Sequence, residues 1–126
     1  MKTAIALLFA CCLSAVAADR PFKNVDVAEF EQLRKSTNNI VLDVRSKKEF
    51  DAGHVPGATH IDVNAPNFEQ RVAKLDRNKT YLVHCAAGRR SANADKKMSE
   101  LKFKSLINFE GGYNAWEKAG NKGAKD

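Results

Sequence analysis

The chain has 126 residues and a formal charge of +6, which suits one small globular domain and little more. Glycine and proline are sparse (seven and three) and nothing repeats at a fixed period, which argues against a solenoid. The 21 Lys and Arg are scattered in ones and twos among 15 Asp and Glu, a solvated basic surface that attracts small anions. With no stacked-aromatic motif and no long basic block, nucleic acid is not an expected partner.

Met1-Lys2 precedes an apolar run from Ala4 to Leu13, and Ala15 and Ala17 stand at the small-residue spacing a signal peptidase accepts. The run is shorter than the roughly twenty apolar residues of a spanning helix, so no stable membrane insertion is expected. Residues 1–17 therefore read as a secretory signal cut after Ala17 or Ala18, which places the mature protein in the periplasm or outside the cell. The alternative is a lipoprotein signal acylated at Cys11, where Leu8-Phe9-Ala10-Cys11 has suitable ends but Phe9 is bulky beside the cut. Once Cys11 and Cys12 leave, Cys85 is the only cysteine. A lone cysteine in an exported chain cannot be an internal staple.

Ala18 to Pro21 are expected to be loose, with Phe22 to Val25 a short strand. Asp26 caps a helix to about Lys35, with Glu29 completing a variant capping box and Val27, Phe30 and Leu33 at helical spacing. Ser36 to Asn39 is a turn. Ile40 to Val44 is an apolar strand interrupted by Asp43, of the kind covered on both faces in a parallel sheet, with Arg45 at its carboxyl end. Ser46 caps a short helix, Lys47 to Ala52, and His54 to Ala58 is a turn. Thr59 to Val63 reads as a strand, Pro66 to Leu75 as a helix with Phe68, Val72 and Leu75 inward, and Asp76 to Lys79 as a loop. After the next strand comes a helix from Ser91 to Leu101, with Ala94, Met98 and Leu101 on one side. Lys104 to Phe109 is the last strand, Glu110 to Gly112 a turn, and Tyr113 to Ala119 a closing helix with Trp116 inward. Residues 121–126 are expected to be a flexible tail. Strands alternating with helices make an α/β domain with a mainly parallel sheet, whose sites gather at the carboxyl ends of the strands.

The stretch TYLVHCAAGRRS, Thr80 to Ser91, carries the chemistry. A strand that ends on Cys85 and turns through Ala86-Ala87-Gly88 into a helix aims several backbone N–H groups at one point. That helix N-terminus and the nearby Arg89 and Arg90 favour thiolate, so Cys85 reads as an activated, anion-facing nucleophile. The bland alternative, an inert core cysteine, needs neither the small residues nor the paired arginines.

The pieces LDVRSKKEF, GHVPGATHI, HCAAGRRS and FEGGYNAWEKAG succeed one another in register between Phe22 and Gly120. In these the chain resembles the single-domain rhodaneses, or thiosulfate sulfurtransferases, of an exported type. The resemblance implies a three-layer domain, over residues 22–120, with a central parallel sheet flanked by helices. It also implies a two-step sulfur shuttle with no cofactor. Cys85 would take the sulfane sulfur of a small donor anion such as thiosulfate, releasing sulfite, and pass it to cyanide, a thiol or a protein acceptor. Backbone N–H groups from Ala86 to Ser91 would hold the persulfide's charge. Arg89 and Arg90 suit the donor's oxygens, with Arg89 favoured as the inward one. One departure from the family is Lys102, which stands where glycine is usual at a helix end. If the backbone there is left-handed, lysine costs about 1 kcal/mol.

Phosphatases and arsenate reductases share a His-Cys loop, but theirs runs Cys, five residues, Arg. Here four residues separate Cys85 from Arg90, and Ser91 takes the arginine's place. The smaller ring suits one sulfur atom better than a phosphoryl group. A third reading is a sulfur-carrying or anion-sensing module without significant turnover.

Asp43 and Arg45 are expected to pair with each other or with nearby loop groups as structural support, with Glu49 joining them. His84 is expected to set the base of the loop through hydrogen bonds. His54, His60, His84 and Cys85 match no compact zinc spacing, so no metal is expected. Gly111 and Gly112 allow a tight turn close to the reactive loop.

Overall fold

The computed structural model describes residues 22–125. The expected signal, the acylation alternative at Cys11, the loose stretch 18–21 and the last residue of the expected tail lie outside them. The strands are β1 (Lys23–Val25), β2 (Asn39–Asp43), β3 (Thr59–His60), β4 (Thr80–His84) and β5 (Ser105–Phe109). The helices are α1 (Val27–Leu33), α2 (Lys47–Ala52), α3 (Phe68–Val72), α4 (Arg89–Glu100) and α5 (Gly112–Lys118). The strands form one sheet in the order β1-β5-β4-β2-β3, and every pair in it is parallel. This is the expected three-layer α/β fold, a wholly parallel sheet flanked by helices.

Alternation along the strands sorts side chains between the two faces. Tyr81, Val83 and Cys85 of β4 and its end join Leu42, Phe68, Val72, Ala94 and Met98 in one cluster, which α3 and α4 cover. Leu82, Val41 and Phe109 join Phe30, Tyr113 and Trp116 in the other, which α1 and α5 cover. Fully burying Phe30, Leu82 or Met98 stabilises by roughly 1.5–3 kcal/mol each. Because β4 lies between β2 and β5, its carboxyl end opens in the middle of the sheet edge.

Several elements differ from the sequence reading for local reasons. β3 stops at His60, although Ile61 and Val63 still donate to Asp43 and Val44 carbonyls at 3.0 and 3.2 Å. The expected ten-residue helix from Pro66 keeps only Phe68–Val72: Asn67 gives it no side-chain cap, and its last turn tightens, with the Lys74 and Leu75 N–H groups donating to the Arg71 and Val72 carbonyls three residues back. Asp26 caps α1 by accepting from the Glu29 N–H at 2.9 Å, but the Glu29 carboxylate turns to Lys23 instead of closing the box. The full capping box falls at α2, between Ser46 and Glu49. The segment expected to be a loose tail is bonded: His54 and Ala124 exchange backbone hydrogen bonds of 2.9 and 2.8 Å, and the Asn121 amide donates to the Trp116 carbonyl. Two N–H donors and two carbonyls satisfied together outweigh the fraying expected of a small, charged segment.

The end of α4 bears out the concern over Lys102. Its N–H donates to Ser99 and the Phe103 N–H to Met98, at 3.0 and 3.2 Å, the paired bonds of a Schellman motif. That closure requires a left-handed residue, and Lys102 has φ 70°, the one positive φ outside glycine among the described residues. Lys102→Gly is expected to raise stability by about 0.5–1 kcal/mol, read as a higher urea midpoint at unchanged slope.

Candidate active site

β4 delivers His84 and Cys85 to opposite faces of the sheet. The chain then turns through Ala86-Ala87-Gly88 into α4, which begins at Arg89, two residues before the start expected from Ser91. Both arginines therefore belong to the first helical turn. Gly88 caps that helix with φ 95°, and a Cβ there would collide with the Glu110 carbonyl. The closeness of β5's end thus demands glycine.

The loop is held from outside by α5. The Tyr113 and Asn114 N–H groups donate to the carbonyls of Cys85 and Ala86 at 2.8 and 3.1 Å. With those carbonyls drawn outward, the loop's N–H groups turn inward. Gly112 makes the approach possible: it has φ 64°, and a Cβ would lie 2.5 Å from each of the two carbonyl oxygens. The expected close turn at Gly111-Gly112 is therefore present, with Gly112 the contact point.

Inside the ring, the Gly88 N–H donates to Cys85 Sγ at 3.0 Å. The thiol donates to Ser91 Oγ at 3.5 Å, while that hydroxyl donates to the Gly88 carbonyl at 3.1 Å. Burial alone would push the thiol's pKa up. The Ser91 hydroxyl, which can turn its proton to the sulfur once the thiol ionises, and the N–H groups of Ser91, Ala87 and Gly88 outweigh it, so the net shift is downward. Cys85 is unpaired and only 1 % exposed, with its sulfur under the ring of amides rather than at the floor of an open pocket. Ala87 and Arg89 are the exposed residues above it.

Arg90 is half-buried and held by Glu49 in a two-pronged pair of 2.7 and 2.9 Å. Arg90 in turn holds the Glu49 carboxyl down at about 2. Glu49 also accepts from the Ser46 hydroxyl at 3.0 Å, so one carboxylate ties the start of α2 to the start of α4. Its folded-state pKa is depressed, so its contribution is present above the ordinary glutamate range and is lost as pH falls toward 2. The hydrogen bonds to Glu49 raise the pKa of Arg90, and a thiolate at Cys85 would add to this, whereas Arg89 is exposed.

Beneath this cradle lies a second charged layer. Arg45 grips Asp43 through bonds of 2.7 to 3.1 Å, donates to the Gly53 carbonyl at 2.8 Å and stacks 4.1 Å over the Tyr113 ring. Both partners are almost fully buried. The two pair as expected, but Glu49 does not join them, because Arg90 and Ser46 satisfy it. His84, beside Asp43 in the strand register, places Nδ1 3.1 Å from the Cys85 carbonyl and Nε2 3.7 Å from Asp43. Burial drives the His84 pKa down despite Asp43. His60 Nε2 meets the Arg45 carbonyl at 2.7 Å, and His54 Nδ1 the Phe50 carbonyl at 2.8 Å. No group of three metal-ligating side chains occurs among the described residues.

Two features of the site escaped the sequence reading. The Glu49–Arg90 pair joins residues 41 positions apart, although the Ser46-x-x-Glu49 capping pattern was visible. The α5 amides on the loop carbonyls leave no side-chain signal. Beside the loop, Arg45, Glu49, Gly53, Tyr113, Asn114 and Glu117 line a polar groove of about 310 Å³.

The family model for the rhodanese-like domain matches residues 26–119. The chain is 28% identical over 98 residues to a protein of Shewanella oneidensis named thiosulfate sulfurtransferase GlpE, covering 78% of this chain and 95% of that one. It is 32% identical over 93 residues to the putative sulfur carrier protein YrkF of Bacillus subtilis, covering 73% of this chain and 49% of the relative. A rhodanese-related protein of Thermoplasma volcanium superposes with TM-score 0.74 at 28% identity, over 83% of this chain and all of that one.

Ser91→Ala removes the side-chain hydrogen bond that favours thiolate. The midpoint of the pH profile for Cys85 alkylation is expected to move up by about 1 unit. An unmoved midpoint would mean that the backbone amides alone set the thiol's acidity.

Proposed function

This chain belongs to the rhodanese-like domain family, and on that premise we propose that it is a thiosulfate sulfurtransferase with Cys85 as the sulfur carrier. The observation that carries the reading is the Gly88 N–H at 3.0 Å from Cys85 Sγ, within a loop whose hydrogen bonds favour the charged sulfur. The Cys85 thiolate attacks the sulfane sulfur of the donor. The donor's S–S bond breaks, and sulfite leaves with the bonding pair. The new persulfide carries a negative charge at the outer sulfur, which N–H groups from Ala86 to Ser91 would stabilise, as those of Ala87, Gly88 and Ser91 favour the thiolate. A nucleophilic acceptor, cyanide or a thiol, then attacks that outer sulfur, and the Cys85 thiolate departs.

Arg90 is the donor-binding residue this reading favours over Arg89, since its charge is fixed by Glu49 and couples to that of Cys85. The Cys-four-Arg spacing speaks against a phosphatase, whose loop places its arginine one residue further on. The near-complete burial of Cys85 supports a second reading, a sulfur carrier that serves one protein acceptor and turns over slowly with small ones. The likeness to a protein named as a putative sulfur carrier points the same way.

Mature protein incubated with thiosulfate is expected to gain the mass of one sulfur atom and to lose it on adding cyanide, with thiocyanate as product. Cys85→Ala should abolish both, and activity surviving in that variant would refute the mechanism. Fast transfer to a protein thiol beside slow thiocyanate formation would select the carrier reading instead.

Export is a separate part of the proposal, resting on the Ala4–Leu13 run and the Ala15/Ala17 spacing. Protein recovered from the periplasm or medium should begin at Ala18 or Asp19. A start at Cys11 with an attached lipid would select the lipoprotein alternative.

A further inference from the structure

The inward face of α4 carries Ser91, Ala94, Met98 and an aspartate, Asp95. Asp95 is 0 % exposed, and neither of its carboxyl oxygens has a hydrogen-bond partner among the described residues. The sulfur chemistry at Cys85 makes no use of this group. A buried carboxylate without a partner is expensive, whereas a neutral acid needs only one acceptor for its O–H.

The geometry of α4 narrows where such an acceptor can lie. Lys97 stands 5.8 Å over the Phe68 ring of α3, marking the flank of α4 that faces that helix. Asp95 is two residues from Lys97 and thus about 200° round the helix, on the flank turned toward β5 and β1. On β5, Leu106 packs in the cluster beneath α4, so Asn108, two residues on, points to the same face. Asn108 is 2 % exposed, and its amide nitrogen donates to Asn24 of β1 at 2.9 Å. That bond fixes the amide and leaves Oδ1 buried without a donor. Depths agree as well. Gly88 packs on Glu110; from there α4 descends about 10 Å to Asp95, and β5 about 7 Å to Asn108.

We propose that Asp95 is a neutral acid in the folded protein and donates its proton to Asn108 Oδ1. This clamp holds α4, and with it the cradle at the helix's first turn, against the sheet. One proton satisfies two orphaned groups at once. Burial pushes the Asp95 carboxyl up to about 8, in keeping with a neutral acid at ordinary pH. The titratable groups on the elements packed against α4 compete little for this proton. β5 offers none; β4 contributes Tyr81, His84, which packs on the opposite face of the sheet against Phe30 and Tyr113, and, at its end, Cys85; Lys23 of β1 and the Glu69 and Arg71 side chains of α3 are exposed. On α4 itself Lys96 and Glu100 are exposed and Lys97 is turned to Phe68.

The sign of the pH effect is set by the raised pKa. A folded-state pKa above the unfolded one gives stability that is complete below the ordinary aspartate range and lost as pH rises through about 8. His84, whose pKa is lowered, has the opposite slope below its ordinary range, so the difference between wild type and variant isolates Asp95.

The test compares wild type with Asp95→Asn and Asn108→Ala by urea unfolding from about pH 5 to about pH 9, with the Asp95 carboxyl carbon tracked by NMR. Asp95→Asn keeps the shape and a donor to Asn108 but cannot ionise. Relative to it, the folding equilibrium constant of wild type should fall by about tenfold per pH unit up to the Asp95 midpoint, then level off. In Asn108→Ala the Asp95 midpoint should drop, because the neutral form has lost its acceptor. The alkylation rate of Cys85 in Asp95→Asn, divided by that in wild type, should rise above pH 8, a readout independent of any sulfur transfer. Parallel stability profiles, or an Asp95 midpoint in the ordinary range near 4, would overturn the neutral acid. A midpoint unchanged in Asn108→Ala would overturn the pairing, and a flat alkylation ratio the link to the cradle.

Discussion

Two hydrogen bonds from the first turn of α5 to the carbonyls of Cys85 and Ala86 hold the site in shape. A peptide unit cannot point its C=O and its N–H the same way, so fixing these carbonyls outward commits the loop's N–H groups inward, around the sulfur. The contact needs backbone to touch backbone, and Gly112 allows it by lacking a side chain in a left-handed conformation. Gly88 plays the same part against Glu110 on the opposite side. The ring of amides is therefore a tertiary product, in which β4 brings the cysteine and α5 and β5 set the curvature of the loop between Cys85 and α4.

The charges are layered so that each has a fixed partner. Near the surface, Glu49 holds Arg90 while it also caps α2, so the guanidinium beside the cysteine loop has a fixed orientation. Deeper, the Asp43–Arg45 pair is nearly dry and its remaining valence goes to Gly53 and the Tyr113 face. A pair of this kind stabilises little against an apolar substitute, but losing one partner strands a buried charge and costs about 3–5 kcal/mol. Its value here is positional. It joins the ends of β2 and α2 to the helix that holds the loop.

α4 connects these layers to the rest of the domain. Its first turn surrounds the sulfur, its middle carries the buried Asp95 and its last turn closes on a strained lysine. The left-handed lysine opposes folding at every pH and the buried acid does so once it ionises, and both sit on the element that carries the thiol's cradle.

Read alone, the sequence determined the α/β alternation, the parallel sheet and the place of the cysteine loop at the carboxyl end of the Tyr81–Val83 strand, all written in local chemistry: apolar period, capping residues, and a cysteine succeeded by small residues and a helix start. Lys102 was marked only by the resemblance, through the glycine usual at that helix end. Meetings between distant segments lay beyond it. Glu49 bonded to Arg90 rather than to Arg45, the end of the chain paired with His54, and Asp95 came to lie inside although an aspartate on a polar-looking helix reads as solvated. Side-chain type constrains what a residue can bond, but only the packing of strands and helices decides which partners come within reach and which are withheld.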